Sequence, residues 1–170
     1  MRNEPLTAPW RIRPVAPADA AAIVGLLDPI IRAGGLTAMT PGTVDDQHAF
    51  IADLPPRATY FLAEDAHGTL LGIQDILPIP GDAGFDEGGE ISTFVRLGQH
   101  GRGIGRRLSD ASFAAARARG YRRLFATIRA DNPGALAFYR ALGFRIVERR
   151  DGPPLPTIRA TRALDAIGVR

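Results

Sequence analysis

The sequence VRLGQHGRGIGRR, from Val95 to Arg107, decides the fold. An apolar, β-branched run at 91–95 precedes it and a helical pattern follows from Ile104, so we predict a strand, a glycine-rich turn and a helix. Such a turn lets backbone N–H groups point inward without obstruction by Cβ atoms. The helix adds unpaired N–H groups and the positive end of its dipole. The stretch therefore predicts a phosphate cradle, built around Gly101, Gly103 and Gly105.

A strand, glycine-rich turn and helix suggest three kinds of phosphate ligand: the nucleotide of a P-loop protein, a dinucleotide, or coenzyme A. A P-loop requires Gly-Lys followed by Ser or Thr, and the chain contains no Lys. A dinucleotide-binding fold requires G-x-G-x-x-G and an acidic residue at the end of the next strand. Here the spacing is G-x-G-x-G, and the matching region 121–125 carries no acid. The third ligand is the pyrophosphate of coenzyme A.

Two motifs resemble the GNAT superfamily of N-acetyltransferases. The family loop, [Gln/Arg]-x-x-Gly-x-[Gly/Ala], matches His100–Gly105 with a histidine at its first position. A second family pattern, N-x-x-A-x-x-x-Y-x-x-x-G-F, matches Asn132–Phe144. The nearest likeness is to the phosphinothricin and amino-acid N-acetyltransferase branch, whose Glu-x-Ser segment is similar to Glu90-Ile-Ser92. That branch tends to carry His where this chain has Tyr139, so we do not predict phosphinothricin as the substrate.

Alternating strand and helix patterns indicate one α/β domain with a mixed sheet. The resemblance implies a single GNAT-like domain over residues 1–170, with a flexible N-terminus at 1–9. It also implies a mixed, mostly antiparallel central sheet whose central strands splay apart, flanked by helices. Strands are predicted at 10–15, 59–64, 69–77, 90–95, 122–128, 144–149 and 157–164. Helices are predicted from Pro17 to Ala33 with a kink or break at Pro29, from Thr40-Pro41 to about Leu54, at 104–119 and at 132–142.

The resemblance places acetyl-CoA, as cosubstrate, in the gap between the splayed strands. A backbone N–H near Val95 is then expected to face the thioester oxygen. Asn132 begins the facing helix, where a plain N-cap role is equally compatible with contact to the coenzyme. The residues expected to bind the coenzyme are Thr93, Phe94, Val95, Gly101, Arg102, Gly103, Ile104, Gly105, Arg106 and Asn132.

Two residues are candidates for the chemistry. Tyr139 lies about two helical turns beyond Asn132, on nearly the same face, and the family uses this hydroxyl to protonate or hydrogen-bond the departing sulfur. The alternative is a half-buried core tyrosine. Glu90 begins the central strand and matches the family position that takes the amine proton, directly or through water. The alternative for Glu90 is an exposed carboxylate paired with an Arg.

The resemblance implies acetyl transfer to the primary amine of a small molecule or amino acid, by direct attack through a tetrahedral intermediate. Acetylation of a protein N-terminus or Lys, or a non-catalytic sensor that binds coenzyme A, are the alternatives. The acceptor site is expected at 33–40, 78–89 and 152–156. Leu36, Met39 and Phe50 fit substrate contact and ordinary packing equally well.

Composition excludes several classes of protein. The chain has 170 residues and no Cys, which suits one domain and excludes disulfides and thiolate metal sites. Its net charge is only +3 and its Arg residues are scattered, so we do not expect nucleic-acid binding. Three His, with His48 and His67 in surface positions, indicate no metal site. No apolar run reaches membrane-span length, so we expect a soluble, cytoplasmic protein and, by resemblance, a possible homodimer.

Overall fold

The structure, a computed structural model, describes residues 10–79 and 88–165. The predicted flexible N-terminus and the centre of segment 78–89, one of the three segments expected to form the acceptor site, lie outside these residues. The helices are α1 (Ala20–Ala33), α2 (Val44–Ala52), α3 (Ile104–Ala118) and α4 (Pro133–Ala141). The strands are β1 (Trp10–Pro14), β2 (Thr59–Asp65), β3 (Leu70–Pro78), β4 (Gly88–Val95), β5 (Arg123–Arg129), β6 (Arg145–Arg150) and β7 (Thr157–Ala163).

Seven strands form one sheet in the order β1-β2-β3-β4-β5-β7-β6. Every neighbouring pair is antiparallel except β4 and β5, which are parallel. β4 pairs with β3 from Gly89 to Val95, but it pairs with β5 only from Gly88 to Glu90. Beyond Glu90 the two central strands separate. The predicted mixed, mostly antiparallel sheet with splayed central strands is therefore confirmed.

Helices cover the sheet on both faces. α3 and α4 pack on one face, where Phe113, Leu124 and Tyr139 belong to one apolar core. α1 and α2 pack on the other face, where Ile23 and Leu62 belong to a second core. The described residues thus form a single domain, as expected from the alternating strand and helix patterns. Among them, none of the helices has the length and apolar character needed to cross a lipid bilayer.

The sequence predicts a kink or a break of the first helix at Pro29, and the structure shows no break. α1 continues through Pro29 to Ala33 and ends at Gly34, whose φ is 71°. A proline inside a helix removes one backbone hydrogen bond. Leu26, Leu27 and Ile30 are buried on either side of it, and their packing outweighs that loss.

The second helix begins three residues later than predicted. Thr43, not Thr40, is the N-cap: its Oγ1 accepts from the N–H of Asp46 at 3.1 Å, and the Asp46 carboxylate accepts from the N–H of Thr43 at 3.0 Å. This reciprocal capping box satisfies two backbone donors, whereas the residue three positions after Thr40 is Thr43, which has no carboxylate to complete such a box. α2 ends at Ala52, ahead of Pro55.

Candidate active site

A cavity of about 990 Å³ opens where β4 and β5 separate. This volume lies at the upper end of the range for small-molecule and cofactor sites. Gly103 of the first motif and Asn132 and Tyr139 of the second line it together with Glu90 and Thr93, so the two motifs of the sequence meet in one space. Its wall includes residues 36–39, 90–95, 99–101, 103–106, 127–129, 134–135 and 138–139.

The open edge of β4 supplies backbone groups to this cavity. The N–H of Arg96 donates to the backbone oxygen of Leu71 at 2.8 Å, which continues the ladder between β3 and β4. Residues of an antiparallel pair alternate between those that bond to the partner and those that face away from it. The N–H and C=O groups of Thr93 and Val95 therefore face the gap, where β5 no longer pairs. An extended amide-containing ligand can hydrogen-bond along this edge.

The glycine-rich turn has the backbone geometry of an anion cradle. Gly101 and Gly103 have φ values of 78° and 80°, in the left-handed region that favours glycine. A Cβ atom at either position would meet no protein atom within 4 Å, so the space in front of the turn is open. Gly103 is the N-cap of α3 and no side chain caps this helix. The uncapped N–H groups at the start of α3 fit a diphosphate.

Gly105 has a different role from the other two glycines. A Cβ atom there would lie 2.8 Å from Cε2 and 3.0 Å from Cζ of Phe138. This glycine therefore allows α3 to approach α4 closely at the edge of the cavity.

Nine of the ten predicted coenzyme ligands line the cavity, and Arg102 does not. The Arg102 guanidinium instead donates to Gln99 Oε1 and lies beside a second, smaller cavity. Arg106, one helical turn further on, lines the main cavity.

Tyr139 is buried, with 6% of its surface exposed, yet it lines the cavity. The predicted alternatives, a core residue and a site residue, thus describe the same side chain. Its hydroxyl lies 3.0 Å from Thr93 Oγ1. Burial raises the pKa of Tyr139 above its usual value; the hydrogen bond with Thr93 opposes this, and the charges of Asp75 and Glu90 add to it. The phenol therefore stays protonated at neutral pH.

Glu90 lines the cavity with its carboxylate held on both sides. Thr127 Oγ1 donates to Oε1 at 2.6 Å, and Arg159 donates to Oε2 at 3.0 Å. The side chain is 31% exposed. The alternative that the sequence left open, a glutamate paired with an Arg, matches this geometry. Because Glu90 also lines the cavity, its carboxylate can still contact a molecule bound there.

A second carboxylate, that of Asp75 on β3, interacts electrostatically with Glu90 and was not predicted from the sequence. One oxygen of Asp75, Oδ1, is buried without a hydrogen-bond partner among the described residues. Burial raises the pKa of Asp75 to about 7; a hydrogen bond with Ser92 opposes this, and the charge of Glu90 adds to it. The signal was available, because Gln74 and Asp75 interrupt an otherwise apolar strand.

The segment between α1 and α2 closes one side of the cavity. Arg129 donates to the backbone oxygen of Thr37 at 3.3 Å, and Asn132 Nδ2 donates to that of Leu36 at 3.2 Å. Asn132 Oδ1 accepts from the N–H of Ala135 at 3.1 Å, which is the N-cap role left open by the sequence. Leu36 and Met39 line the cavity.

Phe50 does not line the cavity. Its ring packs edge-on against Tyr60, with the ring centroids 6.1 Å apart, so the packing alternative fits this residue. Among residues 10–79 and 88–165, no cluster of three or more His, Cys, Asp or Glu side chains is arranged to hold a metal ion.

The chain belongs to the acetyltransferase (GNAT) family, whose model matches residues 36–144. It is therefore an N-acetyltransferase, with acetyl-CoA as the acetyl donor.

Relatives of known structure or activity agree with this assignment. The chain is 31% identical, over 79% of its length and 80% of the relative's, to an L-methionine sulfoximine/L-methionine sulfone acetyltransferase of Pseudomonas aeruginosa. It shares its fold with a putative acetyltransferase from Salmonella typhimurium solved with its cofactor acetyl-CoA (TM-score 0.82, 21% identity, 95% and 97% of the two chains). It also shares its fold with a phosphinothricin acetyltransferase from Sinorhizobium meliloti in complex with acetyl-CoA (TM-score 0.82, 22% identity, 95% and 91% of the two chains).

Proposed function

We propose that this enzyme acetylates the primary amine of a small, amino-acid-like molecule. The observation that carries the proposal is that the glycine-rich turn, Tyr139 and Glu90 all line the same cavity. The relative that acts on methionine sulfoximine and methionine sulfone supports an amino-acid-like acceptor.

In this proposal the turn at 101–106 binds the diphosphate of acetyl-CoA through backbone N–H groups, because no side chain caps α3. The pantetheine arm runs along the open edge of β4 and bonds to Thr93 and Val95. The N–H of Val95 then faces the thioester oxygen and stabilises the charge that develops there.

Protons and bonds balance in a direct transfer. The neutral amine attacks the thioester carbonyl and forms a tetrahedral intermediate, whose collapse completes the C–N bond and breaks the C–S bond. Glu90 takes a proton from the amine nitrogen, directly or through water, and later releases it to solvent. Tyr139 gives its proton to the departing sulfur and later regains one from solvent.

The walls on the acceptor side fit an amino acid with an apolar side chain. Leu36 and Met39 offer apolar surface to the cavity, and Glu90 lies on the floor formed by the sheet. An amine held near Glu90 leaves its side chain against the apolar wall.

A panel of amines tests the function. Release of free thiol from acetyl-CoA is measured with methionine sulfoximine, methionine sulfone, the common amino acids, peptides with free N-termini and Lys-containing peptides. We expect turnover with one or more amino-acid-like amines. Turnover with peptides alone would assign a protein acceptor, and coenzyme binding without turnover on any amine would indicate a sensor.

A matched pair of tyrosine variants tests the proton donor. Tyr139→Phe is expected to lower kcat by about 100-fold, within the usual range for general acid catalysis. Tyr60→Phe is the control, because burial also raises the pKa of Tyr60 but Tyr60 does not line the cavity. Equal kcat values for the two variants would remove Tyr139 from the mechanism.

The homodimer and the cytoplasmic location stay predictions. Sedimentation of the purified chain tests the first, and fractionation of cells that express it tests the second.

A further inference from the structure

The hydroxyl of Tyr139 ends a chain of side-chain hydrogen bonds that begins in the buried core and reaches the cavity. Gln74, in the middle of β3, has none of its surface exposed. Its Nε2 donates to Thr93 Oγ1 and to Ser109 Oγ, both at 2.9 Å. Thr93 Oγ1 lies 3.0 Å from Tyr139 Oη. Four side chains from β3, β4, α3 and α4 therefore form one network.

The end of this network in α3 fixes the orientation of the Gln74 amide. Ser109 Oγ donates to the backbone oxygen of Gly105 at 2.8 Å, a common bond for a Ser in a helix. A hydroxyl has one proton, so Ser109 must accept from Gln74. Nε2 therefore faces Ser109, and the second N–H of the same nitrogen points at Thr93. Gln74 Oε1 is left buried without a partner among the described residues.

The orientation of Gln74 then sets the direction of the next bond. Thr93 accepts from Gln74, and its single proton needs an acceptor. Within the described parts of the chain, Tyr139 Oη is the acceptor that Thr93 Oγ1 has within reach. If Tyr139 donated instead, its proton would point at Thr93 and away from the cavity, where it could not reach the departing sulfur.

We propose that Gln74 is a positioning residue for acetyl transfer: by donating to Thr93 it makes Thr93 donate to Tyr139, and the Tyr139 proton is left to point into the cavity. This inference rests on the proposed function of Tyr139 as the proton donor to the sulfur. The hydrogen bond from Thr93 has a second consequence, because it stabilises the phenolate that forms when Tyr139 gives up its proton.

A double-mutant cycle tests the inference. Gln74→Leu removes both donated hydrogen bonds, and we expect kcat to fall about 10-fold while the KM for acetyl-CoA stays within about 2-fold of wild type. In the Tyr139→Phe background the same substitution is expected to cause no further loss, because Gln74 acts through the Tyr139 proton.

Gln47→Leu is the matched control. Gln47 Nε2 also donates to a tyrosine hydroxyl, that of Tyr60, at 3.4 Å, and neither residue lines the cavity. We expect this variant to keep the wild-type kcat. If Gln74→Leu does not fold, Thr93→Val replaces it in the cycle, since it removes the hydroxyl that transmits the effect.

The outcomes separate the inference from the function on which it rests. A wild-type kcat in Tyr139→Phe would overturn the proposed role of Tyr139. If Tyr139→Phe is slow but Gln74→Leu keeps its kcat, or if the two losses multiply in the double variant, the role of Gln74 is wrong and that of Tyr139 stands.

Discussion

Replacing one glycine of the cradle by alanine separates backbone strain from coenzyme binding. Gly103 has a φ of 80°, and a residue with a Cβ atom costs about 1–2 kcal/mol in this conformation. A Cβ atom would meet no protein atom within 4 Å, so strain is the whole cost to folding. For a chain of this length, a loss of about 1–2 kcal/mol lowers Tm by about 2–8 °C.

The Cβ methyl group of an alanine at position 103 would also lie at the start of α3, where the diphosphate is expected to bind. A hydrogen bond to a charged group contributes about 1.5–3 kcal/mol, so obstruction of one such bond weakens binding by about 10- to 100-fold. Calorimetric titration of Gly103→Ala with acetyl-CoA measures this change.

Gly68→Ala is the control for this substitution. Gly68 has a φ of 79° and equally open surroundings, but it lies in the turn between β2 and β3 and does not line the cavity. We expect the two variants to lose similar Tm, and only Gly103→Ala to lose affinity. Wild-type affinity in both variants, or an equal loss in both, would refute the placement of the diphosphate.

Three further predictions concern single residues. Gly105→Ala is expected to lower the free energy of unfolding by about 1–3 kcal/mol, because its Cβ atom would lie 2.8 Å from Phe138; an unchanged Tm would contradict this. Burial raises the pKa of Asp75 from 3.8 to about 7, so the wild type loses stability as this buried carboxyl ionises between about pH 4 and pH 7. Asp75→Asn has no such ionisation, and its stability relative to the wild type is expected to increase as pH rises. Denaturant titrations at pH 5 and pH 8 measure this change, which is about 3 kcal/mol because about 2 pK units separate pH 5 from the folded pKa; a stability difference between the two proteins that is the same at both pH values would contradict the prediction. Glu90→Gln is expected to lower kcat/KM by about 100-fold or more, whereas Glu148→Gln, which changes an exposed glutamate on β6, is expected to leave it unchanged. A wild-type pH profile in Glu90→Gln would assign the base to water or another group.

Local sequence was sufficient to predict the features that depend on neighbouring residues. The turn at 101–105 and the start of α3 follow from glycine spacing and helical periodicity. The start of α2 was misplaced because Thr40 and Thr43 both fit an N-cap, and only the contact with Asp46 distinguishes them. The splay of β4 from β5 came from the family resemblance, since no local pattern shows where two distant strands stop pairing.

The contacts of the catalytic candidates depend on residues far apart in the chain. Glu90 meets Arg159 across 69 positions, and Thr93 meets Tyr139 across 46. Periodicity carries no information on such pairs. A polar residue in the middle of an apolar strand does carry some, and Gln74 in β3 is an example: a buried amide requires partners, although the sequence does not identify them.

The central claim is that the thioester of acetyl-CoA reaches Tyr139 through the gap between β4 and β5. A crystal structure with a non-reactive acetyl-CoA analogue measures this directly, as the distance from the Tyr139 hydroxyl to the atom in the sulfur position. We predict a hydrogen-bonding or van der Waals contact, of about 3–4 Å, with the diphosphate at residues 101–106. A coenzyme bound outside the gap, or a sulfur position out of contact with Tyr139, would contradict the account.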